Sequence, residues 1–598
     1  MGDLNSGDAR SGDLSSGDRI SGDLSSGDPS KVVVGVAGAG TMGAGIAQVA
    51  ALAGHPVVLY DVQDAFVQRG LGGLAAAIRR LAEKGKLDGA AAEAAIGRVT
   101  GTTDTADFAP CALVIEAAPE DIGIKQSLFK AVEAVSSPDA VLATNTSTLS
   151  VARIAAGLAR PGRVCGMHFF NPAPLMPLVE VIRGPATEAD AAALVTALAA
   201  AWGKTPVAAA DRPGFIVNRV ARPFYGEALR ALGEGLADAA SIDRLARDAG
   251  FPMGPFELMD LIGIDVNFAA ASSVYEGFFQ DPRFRPHPIQ RMMVESGRLG
   301  RKTGQGYYRY DERGTIVATA AADSGAMGSG GGSKVDGSKH DGSTDGGRAV
   351  GTAAADATAD LRSIANVLIL AAPGQAEAAA LADRLRAGGA AVATADTDAH
   401  LELEARQADA LIDLQPSWDA TRAERLTRYA RWLRRGRPLL VNTETVSATR
   451  VAAAIGGLGR PERLLGFTLL PPLDKRGCVE LMAARQTDDA VRPAAEALWR
   501  TAGLEAVWVG DTVGGILPRM VACLAAEAMT AVMDGTATAE GIDQAMRLGT
   551  RYPRGPLEWL EILGAGRVAA LLDALAADQG EDRYRVPPLL RRRVEAGG

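Results

Sequence analysis

The chain has 598 residues, too many for one hydrophobic core, and this length predicts three or four domains. Its net charge of −9 argues against a surface that follows nucleic-acid phosphates. The four cysteines lack the spacing of metal ligands, and no run of about 18 apolar residues predicts a membrane span. The first residues also lack the basic-then-apolar layout of a secretory signal, so we expect a cytoplasmic protein. From the spacing of the cysteines we expect no metal site.

Two low-complexity tracts divide the sequence. A Gly-Asp pair recurs every five residues through residues 1–30, and residues 319–360 are rich in glycine and serine. Neither tract can bury enough apolar surface to offset its chain entropy, so we predict a disordered arm and a flexible linker. The predicted domains are a nucleotide-binding domain at 31–212, a helical domain at 213–318, a reduced nucleotide-like domain at 361–512 and a second helical domain at 513–598.

The first half opens with a β-branched run, residues 32–37, that leads into a glycine-rich turn and an alanine-rich helical pattern. Strand-like runs that alternate with helical patterns predict an α/β, doubly wound parallel sheet. The turn reads Gly38-Ala-Gly40-Thr41-Met42-Gly43. Glycines at this spacing allow a tight turn, the close approach of a diphosphate, and close packing of helix on strand.

The second strand-like run, residues 56–60, ends in Asp61. A carboxylate at this place can accept both hydrogen bonds of an adenosine ribose diol and repel a 2′-phosphate, although it could also be a simple strand-end cap. We therefore predict that the cofactor is NAD rather than NADP. The residues predicted to bind it here are Gly38, Gly40, Thr41, Met42, Gly43 and Asp61.

Three later segments carry side chains suited to the oxidation of an alcohol. Asn145-Thr-Ser147-Thr follows one strand-like run, His168 follows Gly-Met, and Glu180 lies in the next strand-like run. Asn218 opens the stretch in which the pattern becomes wholly helical. Alone, each residue has a structural explanation, such as a helix cap or a core histidine. Together they supply an imidazole to take a hydroxyl proton, a carboxylate to orient it, and two neutral donors.

The combined motifs resemble one known family. They read GAGTMGAGIAQVAA, NTSTLS, GMHFFNPAPLMPLVEV, RPGFIVNR, GFPMGPFELMDLIG and LGRKTGQGYYRY, and they cover about residues 31–311. This combination is similar to the L-3-hydroxyacyl-CoA dehydrogenases. The resemblance implies a Rossmann domain followed by an all-α dehydrogenase C-terminal domain, and NAD-dependent oxidation of an L-3-hydroxyacyl-CoA to a 3-oxoacyl-CoA.

The resemblance also implies roles for individual residues. His168 is expected to be the general base, Glu180 its orienting partner, and Ser147 and Asn218 the polar groups that contact substrate. Lys84 matches a position that contacts the CoA moiety. The residues that match positions near the cofactor are Glu120, Lys125, Asn145, Asn171 and Lys302.

The two halves of the sequence resemble each other. Residues 160–166 read RPGRVCG and residues 460–466 read RPERLLG, and Gly254-Pro recurs as Gly555-Pro. The matches keep their order at an offset near 300, which indicates an internal duplication. The predicted second half is therefore a degenerate Rossmann-like domain followed by a second all-α domain.

The second copy lacks the residues that chemistry needs. Its phosphate turn, residues 370–375, has no three-glycine motif, and alignment places Thr468 at His168, Glu444 at Ser147 and Pro518 at Asn218. Only Glu480 matches its counterpart. We expect a catalytically inactive copy that pairs its helical domain with the first one as a pseudo-dimer, with a homo-oligomer also possible.

Two other functions fit some of these residues: a related dehydrogenase of a sugar acid, and a non-catalytic structural relative that keeps the fold. The arrangement of domains is similar to bacterial dehydrogenases of phenylacetate degradation, which act on 3-hydroxyadipyl-CoA, while other relatives prefer 3-hydroxybutyryl-CoA. The sequence does not choose between these acyl groups, or between fatty-acid β-oxidation and phenylacetate catabolism.

Overall fold

The computed structural model describes residues 32–319, 364–372, 374–395, 401–434 and 436–597. The predicted arm at 1–30 and all but the first residue of the predicted linker at 319–360 lie outside them. The described residues up to Arg219, together with Ala531–Arg551, form one compact unit. Val220–Thr530 and the residues from Tyr552 onward form the second.

The α-helices differ greatly in length and in the surfaces they bury. Those before the linker are α1 (Thr41–Leu52), α2 (Asp64–Glu83), α3 (Gly89–Gly97), α4 (Ile122–Val135), α5 (Val151–Ala155), α6 (Ala189–Ala201), α7 (Val217–Val220), α8 (Arg222–Gly233), α9 (Ala239–Asp248), α10 (Pro255–Ile262), α11 (Ile264–Gly277) and α12 (Pro288–Glu295). Those after it are α13 (Ala376–Ala387), α14 (Leu401–Gln407), α15 (Ala420–Trp432), α16 (Ala448–Ile455), α17 (Arg492–Thr501), α18 (Leu517–Met533), α19 (Ala539–Thr550), α20 (Pro556–Leu563), α21 (Ala565–Gln579) and α22 (Pro588–Glu595).

The first unit contains an 8-stranded sheet in the order β3-β2-β1-β4-β5-β6-β7-β8. Its strands are β1 (Val34–Ala37), β2 (Val57–Tyr60), β3 (Val99–Thr102), β4 (Leu113–Glu116), β5 (Val141–Thr144), β6 (Val164–Phe169), β7 (Leu178–Arg183) and β8 (Thr205–Ala210). Neighbours are parallel except β6 and β7. Strands β1, β4 and β5 are buried along their whole length, as parallel strands covered by helices on both faces are. The predicted doubly wound sheet is confirmed.

The first helical domain ends in a short antiparallel hairpin, β9 (Tyr308–Tyr310) and β10 (Ile316–Thr319), where the sequence pattern indicated helices only. Two buried carboxylates hold the hairpin, since the Tyr308 hydroxyl donates to Asp243 at 2.7 Å and the Tyr310 hydroxyl donates to Asp260 at 2.9 Å. These contacts join residues 50 or more positions apart, which a local pattern cannot reveal.

The second unit contains a 7-stranded sheet that repeats the order of the first with one strand fewer, as β12-β11-β13-β14-β15-β16-β17. Its strands are β11 (Asn366–Leu370), β12 (Ala391–Ala395), β13 (Ala410–Asp413), β14 (Leu439–Asn442), β15 (Leu464–Thr468), β16 (Cys478–Ala483) and β17 (Glu505–Val509). Strands β15 and β16 are antiparallel, as β6 and β7 are.

Each sheet is covered in part by a helix from the other half of the chain. Helix α19 packs on β7 and β8 within the first unit. Within the second unit, α9 ends beside the second sheet, where the Asp248 carboxylate accepts a hydrogen bond of 2.6 Å from the Gly477 amide. Arg244 of α9 also pairs with Glu505 at the start of β17.

Among the described residues, no helix combines the length and apolar character needed to cross a membrane. In that same part of the chain, no group of three or more His, Cys, Asp or Glu side chains is arranged to hold a metal ion.

Candidate active site

The glycine-rich turn links β1 to α1. Gly38 has a φ of 115°, and a Cβ there would lie 2.6 Å from the Ala117 carbonyl oxygen. A Cβ on Gly43 would lie 1.7 Å from the Gly38 oxygen, so this position requires close packing of the helix on the turn. Gly40, the N-cap of α1, has no atom within 4 Å of its Cβ position. Its open side therefore leaves room for a diphosphate at the N-terminus of the helix.

A cavity of about 1150 Å³ opens beside this turn. Of the residues predicted to bind the cofactor, it is lined by Gly38, Gly40, Thr41, Met42 and Asp61. Its wall also includes Phe66 and Arg69, which the sequence reasoning missed, and Arg69 lies 5.5 Å from the centre of the Phe66 ring. Both residues are on α2, the helix that follows Asp61. A mostly apolar cavity with one fixed carboxylate and a glycine turn fits an adenosine and its diphosphate.

The Asp61 carboxylate is fixed at the end of β2. One oxygen accepts a hydrogen bond of 2.8 Å from the Ala39 amide, and the other accepts one of 2.8 Å from the Val62 amide. Each carboxylate oxygen has a further lone pair, so both can also accept from a ribose diol. The same negative charge disfavours a 2′-phosphate.

His168 and Glu180 are direct cross-strand partners on β6 and β7. Both side chains are buried, and His168 Nδ1 lies 2.7 Å from Glu180 Oε2. Phe170 and Phe215 flank the imidazole, with ring centres 4.6 and 5.9 Å from it. Because Nδ1 is engaged by the carboxylate, Nε2 is the ring nitrogen that can take a proton from a substrate.

Two backbone amides hold the other carboxylate oxygen of Glu180. Its Oε1 atom accepts hydrogen bonds from the amides of Ile216, at 3.1 Å, and Val217, at 2.9 Å, where α7 begins. The carboxylate thus receives a bond on each side, and its orientation toward His168 is fixed. Amide donors have no sequence signature, so only the glutamate could be predicted.

The Asn145–Thr148 turn and Asn218 lie together next to this pair. Asn218 donates from Nδ2 to the Ser147 carbonyl oxygen at 3.4 Å, and both side chains are half-buried. Asn145 follows β5, and its Oδ1 accepts a hydrogen bond of 2.8 Å from the Phe169 amide, the residue after His168. The structure therefore brings together the predicted residues on either side of the histidine.

Glu120 organises that turn. Its Oε1 atom accepts hydrogen bonds from the Thr146 hydroxyl at 2.5 Å and from the amides of Ser147 and Thr148, each at 3.1 Å. Burial raises the pKa of Glu120, but the Lys125 ammonium and the threonine hydroxyls outweigh it and hold this pKa below its usual range. The carboxylate is thus kept in its ionised form, which is the form that the turn requires.

Lys125 is buried between two carboxylates. Its ammonium donates to Glu116 at 2.6 Å and lies 3.2 Å from Glu120. The Thr144 hydroxyl donates to the second oxygen of Glu116 at 2.7 Å. This buried network supports the ends of β4 and β5, and the sequence reasoning missed Glu116 and Thr144. A polar residue within a buried strand-like run was the available signal.

Three other predicted residues are not joined to this group by a described contact. Asn171 is exposed in the loop after β6, and Lys84 is exposed at the C-terminus of α2. Lys302, in the second unit, forms an ion pair of 2.5 Å with Asp265.

The second sheet carries an altered version of the His168–Glu180 pair. Thr468 is the cross-strand partner of Glu480, in the register that His168 and Glu180 have in the first sheet. Glu480 accepts hydrogen bonds from the amides of Ile516, at 2.6 Å, and Leu517, at 3.0 Å. Without an imidazole beside it, burial raises the pKa of Glu480 to about 7. The amide contacts of the carboxylate recur there, but the imidazole does not.

The place of the second nucleotide turn contains a network of charged side chains. Arg567 contacts Glu444 at 2.7 Å and Glu377, in the first turn of α13, at 2.5 Å. In the first half the corresponding helix begins at Thr41 and has no acidic residue in its first turn. A carboxylate at a helix N-terminus competes for the place that a diphosphate would need.

A dinucleotide turn, a carboxylate suited to a ribose and a buried His–Glu pair define a nicotinamide-dependent dehydrogenase that acts on a hydroxyl group. Comparison with known proteins agrees. The family model described as 3-hydroxyacyl-CoA dehydrogenase, NAD binding domain, matches residues 33–212. The model described as 3-hydroxyacyl-CoA dehydrogenase, C-terminal domain, matches twice, at 214–310 and 514–598.

Relatives cover nearly the whole chain. It is 37% identical over 563 residues to 3-hydroxyadipyl-CoA dehydrogenase of Escherichia coli (strain K12), covering 94% of this chain and 97% of that protein. It is 45% identical over 277 residues to a probable 3-hydroxybutyryl-CoA dehydrogenase of Deinococcus radiodurans, covering 46% of this chain and 99% of the relative.

A solved structure of 3-hydroxybutyryl-CoA dehydrogenase from Escherichia coli K12 matches with a TM-score of 0.70 and 34% identity. The match covers 95% of this chain and 99% of that one. The chain belongs to the 3-hydroxyacyl-CoA dehydrogenase family. It is an NAD-dependent oxidoreductase that acts on the CH–OH group of L-3-hydroxyacyl-CoA, as the sequence motifs predicted.

Proposed function

We propose that the first half holds the working site, in which His168 is the general base and Glu180 its orienting partner. The observation that carries this proposal is the 2.7 Å contact between His168 Nδ1 and a carboxylate that two backbone amides also hold. In this arrangement Nε2 takes the proton of the 3-hydroxyl group, and the negative charge of Glu180 stabilises the imidazolium that forms. Bound NAD supplies the acceptor for the hydride that leaves C3, and the product is a 3-oxoacyl-CoA.

The other predicted residues take supporting roles in this proposal. Ser147 and Asn218 contact the substrate oxygen as neutral donors. Asn145 positions the backbone beside His168, while Glu120 and Lys125 act on the cofactor side through the turn that they hold. We also propose that Asn171 and Lys302 contact the cofactor and that Lys84 contacts the CoA moiety.

We propose 3-hydroxybutyryl-CoA or 3-hydroxyadipyl-CoA as substrate, with a place in fatty-acid β-oxidation or phenylacetate catabolism in the cytoplasm. Both acyl groups are supported by the names of relatives. The test is kcat/KM for each acyl-CoA with NAD. A ratio of about tenfold or more selects one of them, since tenfold corresponds to about 1.4 kcal/mol. Faster turnover of a sugar acid that lacks CoA would overturn the proposed substrate class.

Cofactor choice gives the first prediction. Replacing Asp61 by Asn removes the charge but keeps an oxygen that can accept from the Ala39 amide. We expect kcat/KM with NADP, relative to NAD, to rise about tenfold or more, because the repulsion of the 2′-phosphate is lost. The matched control is Asp64→Asn, which removes an exposed carboxylate three residues away without changing the ratio.

Arg69 sharpens this test. Its side chain lines the same cavity and supplies a cation for a 2′-phosphate once Asp61 is neutral. Adding Arg69→Ala to Asp61→Asn is therefore expected to reverse most of the gain with NADP. If the unaltered enzyme already prefers NADPH, the role proposed for Asp61 is wrong.

The number of nucleotide sites gives the second prediction. We expect calorimetric titration to give one NADH per chain, because Glu377 and Arg567 fill the place of the second diphosphate site. Gly38→Ala, whose Cβ would meet the Ala117 oxygen at 2.6 Å, should then abolish NADH binding altogether in a folded protein. Two NADH per chain, or one that persists in Gly38→Ala, would contradict a single site.

We also propose that the chain has the four domains predicted from sequence. In this proposal the two halves pair as a pseudo-dimer through their helical domains. Contacts that recur with exchanged halves support this proposal, since an isologous interface has that property. Arg519 contacts Glu234 at 3.1 Å, and Arg219 contacts Asp534 at 2.7 Å, with numbers that differ by 300 in each case.

Two further reciprocal contacts have the same offset. Arg583 contacts Glu227 at 3.1 Å, and Arg283 contacts Glu527 at 2.5 Å. The Gly510 amide donates to the Leu236 oxygen at 2.7 Å, and the Ala210 amide donates to the Thr536 oxygen at 2.8 Å. Each of these contacts is thus repeated with the two halves exchanged. Six residues of each half take part, and unrelated segments would not form such a set of contacts. A homo-oligomer built from such chains is compatible with this pairing.

A further inference from the structure

The helix that the second half contributes to the catalytic unit is anchored at its N-terminal side by polar contacts. Thr538, the N-cap of α19, accepts a hydrogen bond of 3.1 Å from the Gly541 amide. Just before it, Thr536 accepts from the Ala210 amide, and its hydroxyl receives a bond of 2.8 Å from Arg219. Arg219 follows Asn218 directly and is fully buried. The direction of α19 across β7 and β8 is therefore fixed.

The other end of α19 reaches residues that surround the catalytic pair. A Cβ on Gly549, the second-to-last residue of the helix, would lie 2.8 Å from Leu178 Cδ2 and 3.0 Å from Val217 Cγ2. It would also lie 3.6 Å from Phe170 Cε1. At 2.8 Å the Leu178 side chain must shift, and at 3.0 Å the Val217 side chain must give by a few tenths of an ångström, so glycine is the residue that fits here without displacing its neighbours.

Each of these three neighbours is tied to the pair itself. The Val217 amide donates the 2.9 Å hydrogen bond to Glu180. The Phe170 ring lies 4.6 Å from the imidazole of His168. Leu178 is on β7 two residues before Glu180, so both side chains are on the same face of the strand. A displacement that starts at Gly549 thus reaches both members of the pair through direct contacts.

The equivalent helix of the first half ends differently. On the second sheet α9 ends in Asp248, whose carboxylate accepts from the Gly477 amide at 2.6 Å. That sheet has Thr468 where the first has His168. Helix α9 therefore ends in Asp248 beside the sheet that has Thr468. Helix α19 has Gly549 near its end, beside the sheet that has His168.

We propose that Gly549, in the otherwise non-catalytic half, is a positioning residue for His168 and Glu180. It acts through Val217, Phe170 and Leu178 and has no contact with substrate in this proposal. The inference rests on the roles proposed above for the two catalytic residues. It means that the site of the first half is completed by a helix encoded about 360 residues after the strand that bears Glu180.

The test uses the full-length enzyme with Gly549→Ala and Gly549→Val. We expect kcat per folded chain to fall about tenfold for alanine and about 10² for valine, as small misplacements of catalytic groups do. The Kd for NADH should not change. The acid limb of the pH profile of kcat should move to lower pH, because a displaced carboxylate stabilises the imidazolium less. Gln544→Ala, at an exposed position of the same helix, is the control and should match wild type.

Rescue separates positioning from general destabilisation. Leu178→Val removes the Cδ2 atom nearest to the added Cβ, so combining it with Gly549→Ala should restore kcat toward that of Leu178→Val alone. Gly549→Val with unchanged kcat and pH profile would overturn the proposal, and so would a loss that tracks the unfolded fraction. If His168→Gln also keeps full activity, the proposed catalytic roles fail; if His168→Gln is inactive, only the role of Gly549 fails.

Discussion

Replacing His168 by glutamine is expected to lower kcat by about 10² or more while NADH binds as before. Glutamine can still donate a hydrogen bond to Glu180, but it has no nitrogen that can take a proton at neutral pH. Stopped-flow measurement of hydride transfer, with NADH affinity from fluorescence titration, separates the chemical step from binding. An equal loss of affinity would show that the substitution disturbs the nucleotide cavity instead.

His55 supplies the matched control for this experiment. It is also buried, and its Nδ1 lies 3.0 Å from the Val32 carbonyl oxygen, next to the ring of Trp202. His55→Gln should cost stability and leave kcat per folded chain close to wild type. If His55→Gln lost activity and His168→Gln did not, the assignment of the base would be wrong.

Glu180→Gln tests the second member of the pair. Its geometry can be kept, since an amide oxygen can still accept from the amides of Ile216 and Val217. The imidazolium then loses its counter-charge, so kcat is expected to fall even though His168 is intact. Wild-type kcat in this variant would limit the glutamate to a structural role.

Replacing Arg519 by methionine is expected to lower the free energy of unfolding by about 3–5 kcal/mol. The guanidinium is buried, contacts Glu227 at 2.6 Å and Glu234 at 3.1 Å, and donates to the Tyr584 hydroxyl at 2.7 Å. Without it, the buried Glu227 carboxylate keeps only part of its compensation, from Arg583 at 3.1 Å and from the Tyr584 hydroxyl, which donates to it at 2.9 Å. Urea denaturation of the full-length protein measures the change.

Arg591 provides the comparison for Arg519. Its ion pair with Asp573 has the same form, but the two side chains are 53% and 49% exposed. Arg591→Met should therefore lower the free energy of unfolding much less than Arg519→Met does, because water screens a solvent-exposed pair. The double variant Glu227→Gln with Arg519→Met should recover part of the loss, because the buried charge is gone as well. If Arg519→Met and Arg591→Met lowered the free energy of unfolding equally, the buried cluster around Glu227 would not be what joins the helical domains.

The same cluster sets a pH dependence. Burial raises the pKa of Glu227, but Arg519, Arg583 and Arg230 outweigh it and lower this pKa from 4.5 to about 2. A carboxylate whose pKa is lower in the folded state contributes stability above its unfolded pKa and loses it as the pH falls. Wild type should therefore lose this contribution between pH 4.5 and about 2, and Arg519→Met should lose less over that window.

The nucleotide site could be predicted from sequence because its residues lie close together along the chain. Gly38, Gly40 and Gly43 are needed within one turn, and Asp61 ends the next strand, so spacing along the chain carries the information. The pairing of His168 with Glu180 was also within reach. A histidine and a carboxylate on consecutive strand-like runs become partners when those strands are antiparallel neighbours.

What the sequence could not provide depends on distant parts of the chain or on backbone atoms. The amides of Ile216 and Val217 that hold Glu180 have no residue type to recognise. The Lys125 ammonium is buried between Glu116 and Glu120, and only the fold shows which carboxylates surround it. The helix that Gly549 belongs to reaches β7 from the far end of the sequence, and no periodic pattern predicts that contact.

The reciprocal contacts between the halves have a consequence for how such an enzyme behaves on dilution. Two separate subunits meet at their bulk concentration, but in the proposed pseudo-dimer both copies belong to one polypeptide, so the concentration at which they meet does not change on dilution. Specific activity should then be independent of protein concentration. In the proposed pseudo-dimer a substitution in one copy is also not repeated in the other, so Thr468 and Glu444 can stand where the proposed site has His168 and Ser147 while Gly549 stays fitted to its neighbours. A single-chain pseudo-dimer thus allows its two copies to differ, which a dimer of identical chains does not.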